Sequence, residues 1–130
     1  MTNRFMPRSA FAEVRGDKNA QKLNGRVSFQ QKANGVLVTA NIKGLPRDKD
    51  GFFRFRVSEF EECKGDDFPE PKIRPRPDWE LPSLLSNKGF AYMQVFTDRF
   101  NIGDIIGKTV AITADSGETI GCGEIRPTRR

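Results

Sequence analysis

Histidine is missing from all 130 residues of the chain. Catalysis in which an imidazole activates a serine or a cysteine is therefore excluded. Cysteine is scarce as well, and two thiols alone do not build a structural zinc site. These absences predict no catalytic residues of the common nucleophile–base type.

Long apolar runs are also absent, since none approaches the roughly 18 residues that a membrane span needs. The N-terminal segment has no hydrophobic stretch of the kind found in signal peptides, so we expect no membrane association and a cytoplasmic location. With one Trp and one Tyr, few side chains are present that could stack on bases.

The net charge of +5 is the main feature that could attract a polyanion. Arginines lie in two basic tails, residues 1–9 and 126–130, and in a loop in the middle of the chain. A solvated basic surface is the favoured interpretation. A basic module that binds anions or nucleic acid is kept as an alternative, although no RNA-binding motif or zinc finger supports nucleic acid as a partner.

Alternation of apolar and polar residues is what the sequence does contain. It runs through segments 10–16, 23–30, 36–42, 51–60, 90–97, 108–115 and 118–125, and it predicts half-buried strands. Asn34-Gly35 predicts a tight hairpin with positive φ at both residues. We therefore expect a single all-β domain over 1–130, an antiparallel Greek-key barrel or sandwich of about eight strands.

Residues 61–82 break this pattern and predict a long proline-rich loop, since each proline removes a backbone donor. Trp79 lies in this loop. It is a candidate binding surface if it is exposed, although an indole that covers the barrel is the favoured interpretation.

Cys63 and Cys122 are 59 residues apart. They are either a disulfide pair or two buried thiols, and their spacing does not decide between these alternatives.

Three segments resemble motifs of the copper/zinc superoxide dismutases, and their order and spacing match over about residues 10–125. Residues 51–59, GFFRFRVSE, resemble the family's strand G-F-x-x-F-H-V-H-E. Residues 104–115, DIIGKTVAITAD, are similar to I-I-G-R-x-V-x-x-H-x-D, and residues 121–125, GCGEI, are similar to A-C-G-V-I. The stretch 81–100 is similar to the central part of bacterial members.

The resemblance places the metal ligands on residues that are not histidine. Copper histidines fall on Arg56, Ser58 and Thr113, the zinc aspartate falls on Glu80, and the active-site cation falls on Thr119. Imidazole is the family's copper ligand, whereas a guanidinium is always cationic and does not ligate a cation. The resemblance therefore implies a degenerate member without a cofactor. We expect Arg56 to pair with Glu80 or Thr113 in place of the metal, and binding of an anion or small ligand at Arg56 is the alternative.

The resemblance carries three further expectations. Cys63 and Cys122 match the family's disulfide, and Glu59 matches a buried carboxylate that organises loop backbone. Glu124 replaces an apolar residue in a region where family dimers often form, so we expect a monomer or a weak homodimer.

The leading functional hypothesis is a non-catalytic, dismutase-like protein with a binding, structural or regulatory role, in which an unknown protein is the partner. An enzyme with residual or altered metal-dependent activity is the second hypothesis. The basic anion-binding or nucleic-acid-binding module is the third.

Overall fold

A computed structural model of the protein describes residues 8–47, 50–59, 63 and 79–128. The described residues form eight strands and one helical turn. In chain order these are β1 (Ser9–Gly16), β2 (Asn24–Lys32), β3 (Gly35–Lys43), β4 (Phe52–Ser58), β5 (Glu80–Leu85), β6 (Ala91–Thr97), α1 (Ile102–Ile105), β7 (Thr109–Thr113) and β8 (Thr119–Pro127). No helix in this part of the chain is both long enough and apolar enough to cross a bilayer.

All eight strands belong to one antiparallel sheet in the order β5-β4-β7-β8-β1-β2-β3-β6. The pairs β3–β6, β4–β7 and β1–β8 join strands that are distant in sequence, so the chain crosses repeatedly between the two halves of the sheet. These are Greek-key connections. The two edge strands, β5 and β6, also contact each other, which nearly closes the sheet into a barrel. The predicted fold class is confirmed.

The alternating residues place their apolar side chains inside this barrel. Val27 and Phe29 of β2 and Phe53, Phe55 and Val57 of β4 are fully enclosed. Each such side chain contributes about 1.5–3 kcal/mol when it leaves water. Because successive residues of a strand face opposite sides, this core also determines which side chains of β4, β7 and β8 lie on the outer face.

The β2–β3 hairpin is present, but its turn lies one residue earlier than predicted. Lys32 pairs with Gly35, so the loop consists of Ala33 and Asn34, and Gly35 is the first residue of β3. Asn34 does not have a positive φ. The cross-strand register of the apolar residues, rather than the Asn-Gly signal, determines where the hairpin turns.

The predicted loop over 61–82 is too long at its C-terminal end, because Glu80, Leu81 and Pro82 belong to β5. Pro82 lies at a register shift between β4 and β5, and β5 is an edge strand. A proline is tolerated at such a bulge because its missing N–H interrupts no ladder bond. The predicted tails are likewise too long by Ser9 and residues 126–127, which belong to β1 and β8. Residues 1–7, 48–49, 60–62, 64–78 and 129–130 lie outside the described part.

Candidate functional site

The outer face of β4, β7 and β8 carries polar side chains that are nevertheless buried. Arg56 and Ser58 of β4 alternate with the core residues of that strand, and they lie beside Thr109 and Thr113 of β7 and Thr119 of β8. These make up five of the six buried polar or charged side chains in the described residues. An outer sheet face normally meets solvent, so this cluster is the candidate site. We call it the polar face.

Arg56 is the one charged member of the polar face, and its side chain is only 5% exposed. Its Nη1 donates a hydrogen bond of 2.5 Å to Thr113 Oγ1. Its Nε is enclosed and has no hydrogen-bond partner. Burial lowers the pKa of the Arg56 guanidinium, the neighbouring charge of Arg54 lowers it further, and Glu80 raises it. A guanidinium remains protonated in proteins regardless, so this site holds a permanent positive charge.

Glu80 is opposite Arg56 in the β4–β5 ladder, but its direct ion pair is with Arg54. Its Oε2 lies 2.8 Å from Arg54 Nη2 and 3.3 Å from Arg54 Nε, and both side chains are partly exposed. Of the two partners expected for Arg56, the structure therefore provides Thr113, and the expected pair with Glu80 is replaced by the Arg54–Glu80 pair. Among the described residues, two guanidiniums therefore lie near one carboxylate, and only Arg54 forms an ion pair with it.

Thr119, on which the resemblance places the active-site cation, lies directly across from Thr113 in the β7–β8 ladder. Its side chain is buried, and its Oγ1 has no hydrogen-bond partner. A buried hydroxyl without a partner is unusual, because desolvation without a compensating hydrogen bond costs about 1–3 kcal/mol. The polar face thus contains two unpartnered polar atoms, one on each side of Thr113.

No family model and no curated protein matches the chain. Among solved structures, a point mutant of superoxide dismutase 5 from Candida albicans superposes with a TM-score of 0.73 at 20% sequence identity. The superposition covers 96% of this chain and 94% of that one.

The chain has a superoxide dismutase fold. At this identity the likeness concerns the backbone architecture alone, so what the polar face does has to be argued from its own residues.

The donor set of the polar face does not suit copper or zinc. Arg56 provides only N–H donors and repels a cation, while Ser58, Thr113 and Thr119 provide neutral hydroxyls. Copper and zinc in proteins take imidazole, thiolate or carboxylate ligands. Within the described residues, no three His, Cys, Asp or Glu side chains form a group that could hold a metal ion. The residues at the positions of the dismutase ligands therefore do not fit the metals.

Cys63 and Cys122 form a disulfide, and their Cα atoms are 5.9 Å apart. This confirms the pairing that the resemblance implied. The guanidinium of Arg15 on β1 donates a hydrogen bond of 2.9 Å from Nη2 to the carbonyl oxygen of Cys63. Arg15 and Cys122 are opposite each other in the β1–β8 ladder, so the same position of the sheet holds Cys63 by a covalent bond and by a hydrogen bond.

The observed burial differs from the expected burial at Glu59 and agrees with the favoured interpretation at Trp79. Glu59 is exposed rather than buried, and most of the loop that it was expected to organise lies outside the described residues, so its role stays a prediction. Trp79 is 7% exposed and belongs to the hydrophobic core, so it covers the barrel and does not form a binding surface.

Two arginines that shape the site could not be identified from the sequence. Arg54 lies on the same side of β4 as Arg56, but its bond to Glu80 runs diagonally, because Glu80 is opposite Arg56 in the ladder, and such a contact cannot be identified before the β4–β5 register is known. Arg15 contacts a residue 48 positions away, which no local pattern indicates. An open groove of about 370 Å³ lies beside the disulfide, and its walls include Glu13, Arg15, Glu124 and Arg126, so it contains both signs of charge.

Proposed function

We propose that this chain is a non-catalytic protein with a dismutase fold, in which the barrel is kept for a binding or structural role. The observation that carries the proposal is the buried guanidinium of Arg56, at a position where the resemblance places a copper ligand. A cation that is fixed in the site opposes the entry of a second cation. Dismutation needs a redox centre, which amino-acid side chains of these types do not supply.

The framework around the site supports a role that needs a rigid barrel. The disulfide, the Arg15 bond to Cys63 and the Arg56 bond to Thr113 all join parts of the chain that are distant in sequence. These links stabilise the sheet without any metal. We propose an unidentified protein as partner, and a monomer or weak homodimer as the state of the free chain.

The cytoplasmic location remains an expectation. Disulfides persist in oxidising compartments and are rare in the cytosol, so the Cys63–Cys122 bond weighs against it.

The test is elemental analysis combined with a superoxide dismutase assay. The purified protein is incubated with copper and zinc, separated from free metal, and measured in both assays. We expect far less than one metal per chain and no dismutase activity above the background of the buffer. One equivalent of copper that supports dismutation, and loss of that activity with a chelator, would favour the altered enzyme instead.

A matched control addresses the donor set directly. The triple variant Arg56→His, Ser58→His, Thr113→His supplies three imidazoles at the assigned positions and removes the fixed cation. If the loss of ligands explains the inactivity, this variant gains copper binding that the unmodified chain lacks.

A further inference from the structure

We propose that the polar face binds a small inorganic anion, of the size of chloride, between the guanidinium of Arg56 and the hydroxyl of Thr119. The inference deepens the proposed function and rests on it, because it names the ligand of a site that no longer suits metal cations. The three residues that carry it, Arg56, Thr113 and Thr119, lie on the adjacent strands β4, β7 and β8.

The buried positive charge of Arg56 favours a bound anion. Buried charges are almost always paired, because an isolated ion in the interior is several kcal/mol less stable than the same ion in water. Arg56 is buried, and no carboxylate among the described residues forms an ion pair with it. Glu80 is opposite Arg56 in the β4–β5 ladder, but its carboxylate is partly exposed and forms its ion pair with Arg54. Asp17, the other buried charged residue in the described part, accepts a hydrogen bond from the Asn19 amide. A bound anion supplies the negative charge that no described carboxylate contributes as an ion pair with Arg56.

The second argument is the pair of unpartnered polar atoms. Arg56 Nε and Thr119 Oγ1 are both enclosed, and neither has a hydrogen-bond partner. Both groups can donate a hydrogen, and both lie next to Thr113, which is bonded to Arg56 Nη1. Thr113 Oγ1 accepts that bond and keeps its own hydrogen free to donate. Three donors for which the described residues provide no acceptor suit an anion. A water molecule would satisfy them without neutralising the charge.

The donors available at the polar face also limit the size of the ligand. Backbone amides of β4, β7 and β8 take part in the sheet ladders, so only side chains can serve the ligand. Hydroxyl and guanidinium N–H groups can donate to halides, and the two unpartnered atoms are enclosed, so a ligand that reaches both has to be small. We therefore commit to a small inorganic anion.

The experiment compares thermal unfolding of the metal-free protein in sodium chloride and in sodium gluconate at equal ionic strength. Gluconate screens surface charge equally but is too large for the enclosed site. We expect Tm to rise with chloride by about 5 °C for each tenfold increase above the dissociation constant, and to stay flat in gluconate. Equal Tm values in the two salts would overturn the inference.

Variants locate the effect at the polar face. Arg56→Met keeps most of the side-chain volume but removes the charge, and we expect it to abolish the difference between chloride and gluconate. Arg26→Met removes an exposed guanidinium on β2 and serves as the matched control, because it leaves the three proposed donors and Glu80 unchanged. Chloride dependence that survives in Arg56→Met, or that disappears only in Arg26→Met, would place the ion elsewhere and refute the proposal.

Thr119→Val keeps the measurement informative if Arg56→Met does not fold. If the hydroxyl donates to a bound anion, its loss weakens chloride binding, so the chloride concentration at which Tm begins to rise increases by about 3- to 10-fold. If the hydroxyl is simply unsatisfied, its loss raises Tm equally in both salts, and the proposal is wrong. Crystals grown in sodium bromide give a direct readout, since an anomalous peak next to Arg56 Nε is expected and a peak only at surface sites would contradict it.

These outcomes separate the two proposals. If the protein binds copper, the proposed function fails in the elemental analysis. If it binds neither copper nor chloride at the polar face, the proposed function stands and the anion site is rejected.

Discussion

Arg56 of β4 donates its Nη1 hydrogen bond to Thr113 of β7, a residue 57 positions away, on the buried outer face of the barrel. In the ladder, Thr113 is opposite Arg54 rather than Arg56, so the contact runs diagonally across two strands. A permanent cation, the Arg56 guanidinium, therefore occupies the place where the resemblance puts copper ligands. The properties of the site follow from this charge, with which no described carboxylate forms a direct ion pair.

Truncation of Arg56 is expected to destabilise the fold mainly through lost volume. Arg56→Ala leaves a buried cavity and removes the partner of Thr113 Oγ1, for which we expect a loss of about 2–4 kcal/mol of unfolding free energy. Arg56→Met fills most of that space without a charge. In chloride-free buffer we therefore expect its free energy of unfolding to fall by no more than about 1 kcal/mol, or to rise. Urea denaturation gives both values. Equal and large losses in the two variants would mean that the charge itself stabilises the fold.

Reduction of the disulfide is expected to lower stability substantially. The bond between Cys63 and Cys122 closes a loop of 59 residues, for which chain entropy alone gives about 3–5 kcal/mol. We expect a lower Tm in the presence of a phosphine reductant. The double variant Cys63→Ser, Cys122→Ser should match the reduced protein and show no further response to the reductant. A chain whose Tm is the same in oxidised and reduced form would contradict the structural role.

The fluorescence of Trp79 reports directly on the barrel wall, because it is the one tryptophan of the chain. An indole that is 7% exposed should emit at shorter wavelength than free tryptophan and should resist quenching by acrylamide. Denatured protein provides the control, since its indole is open to the quencher. Quenching of the native protein as strong as that of the denatured protein would restore the binding-surface interpretation.

Alternation in the sequence was sufficient to predict an antiparallel barrel or sandwich, because a strand with one buried face repeats every two residues whatever its neighbours are. It did not find β5, since Pro82 normally excludes a strand and is tolerated here only at a bulge on the sheet edge. The period of β4 puts Arg56 on the side opposite Phe55 and Val57, but periodicity cannot show that this side is buried. Burial of an outer face depends on what covers it, and that information lies in tertiary structure rather than in periodicity.

Two glycines with positive φ are expected to differ strongly in their tolerance of alanine. Gly44 has φ +75°, and a Cβ there would lie 1.9 Å from the carbonyl oxygen of Lys22, which is backbone and cannot easily move. Gly117 has φ +94° in the β7–β8 turn, and a Cβ added there would have no neighbour within 4 Å. Gly117→Ala should therefore lose only the conformational term, of about 1–2 kcal/mol, whereas Gly44→Ala also forces the backbone at residue 22 to shift.

The comparison of these two variants separates steric conflict from conformational strain. Both substitutions place alanine in the left-handed region, so the difference between their unfolding free energies measures the clash alone. We expect Gly44→Ala to be less stable than Gly117→Ala by at least about 1 kcal/mol in urea denaturation, since rigid overpacking typically costs about 1–3 kcal/mol. Equal losses would show that the segment around Lys22 adapts freely, and that the packing of the β3 end against it does not help to define the barrel.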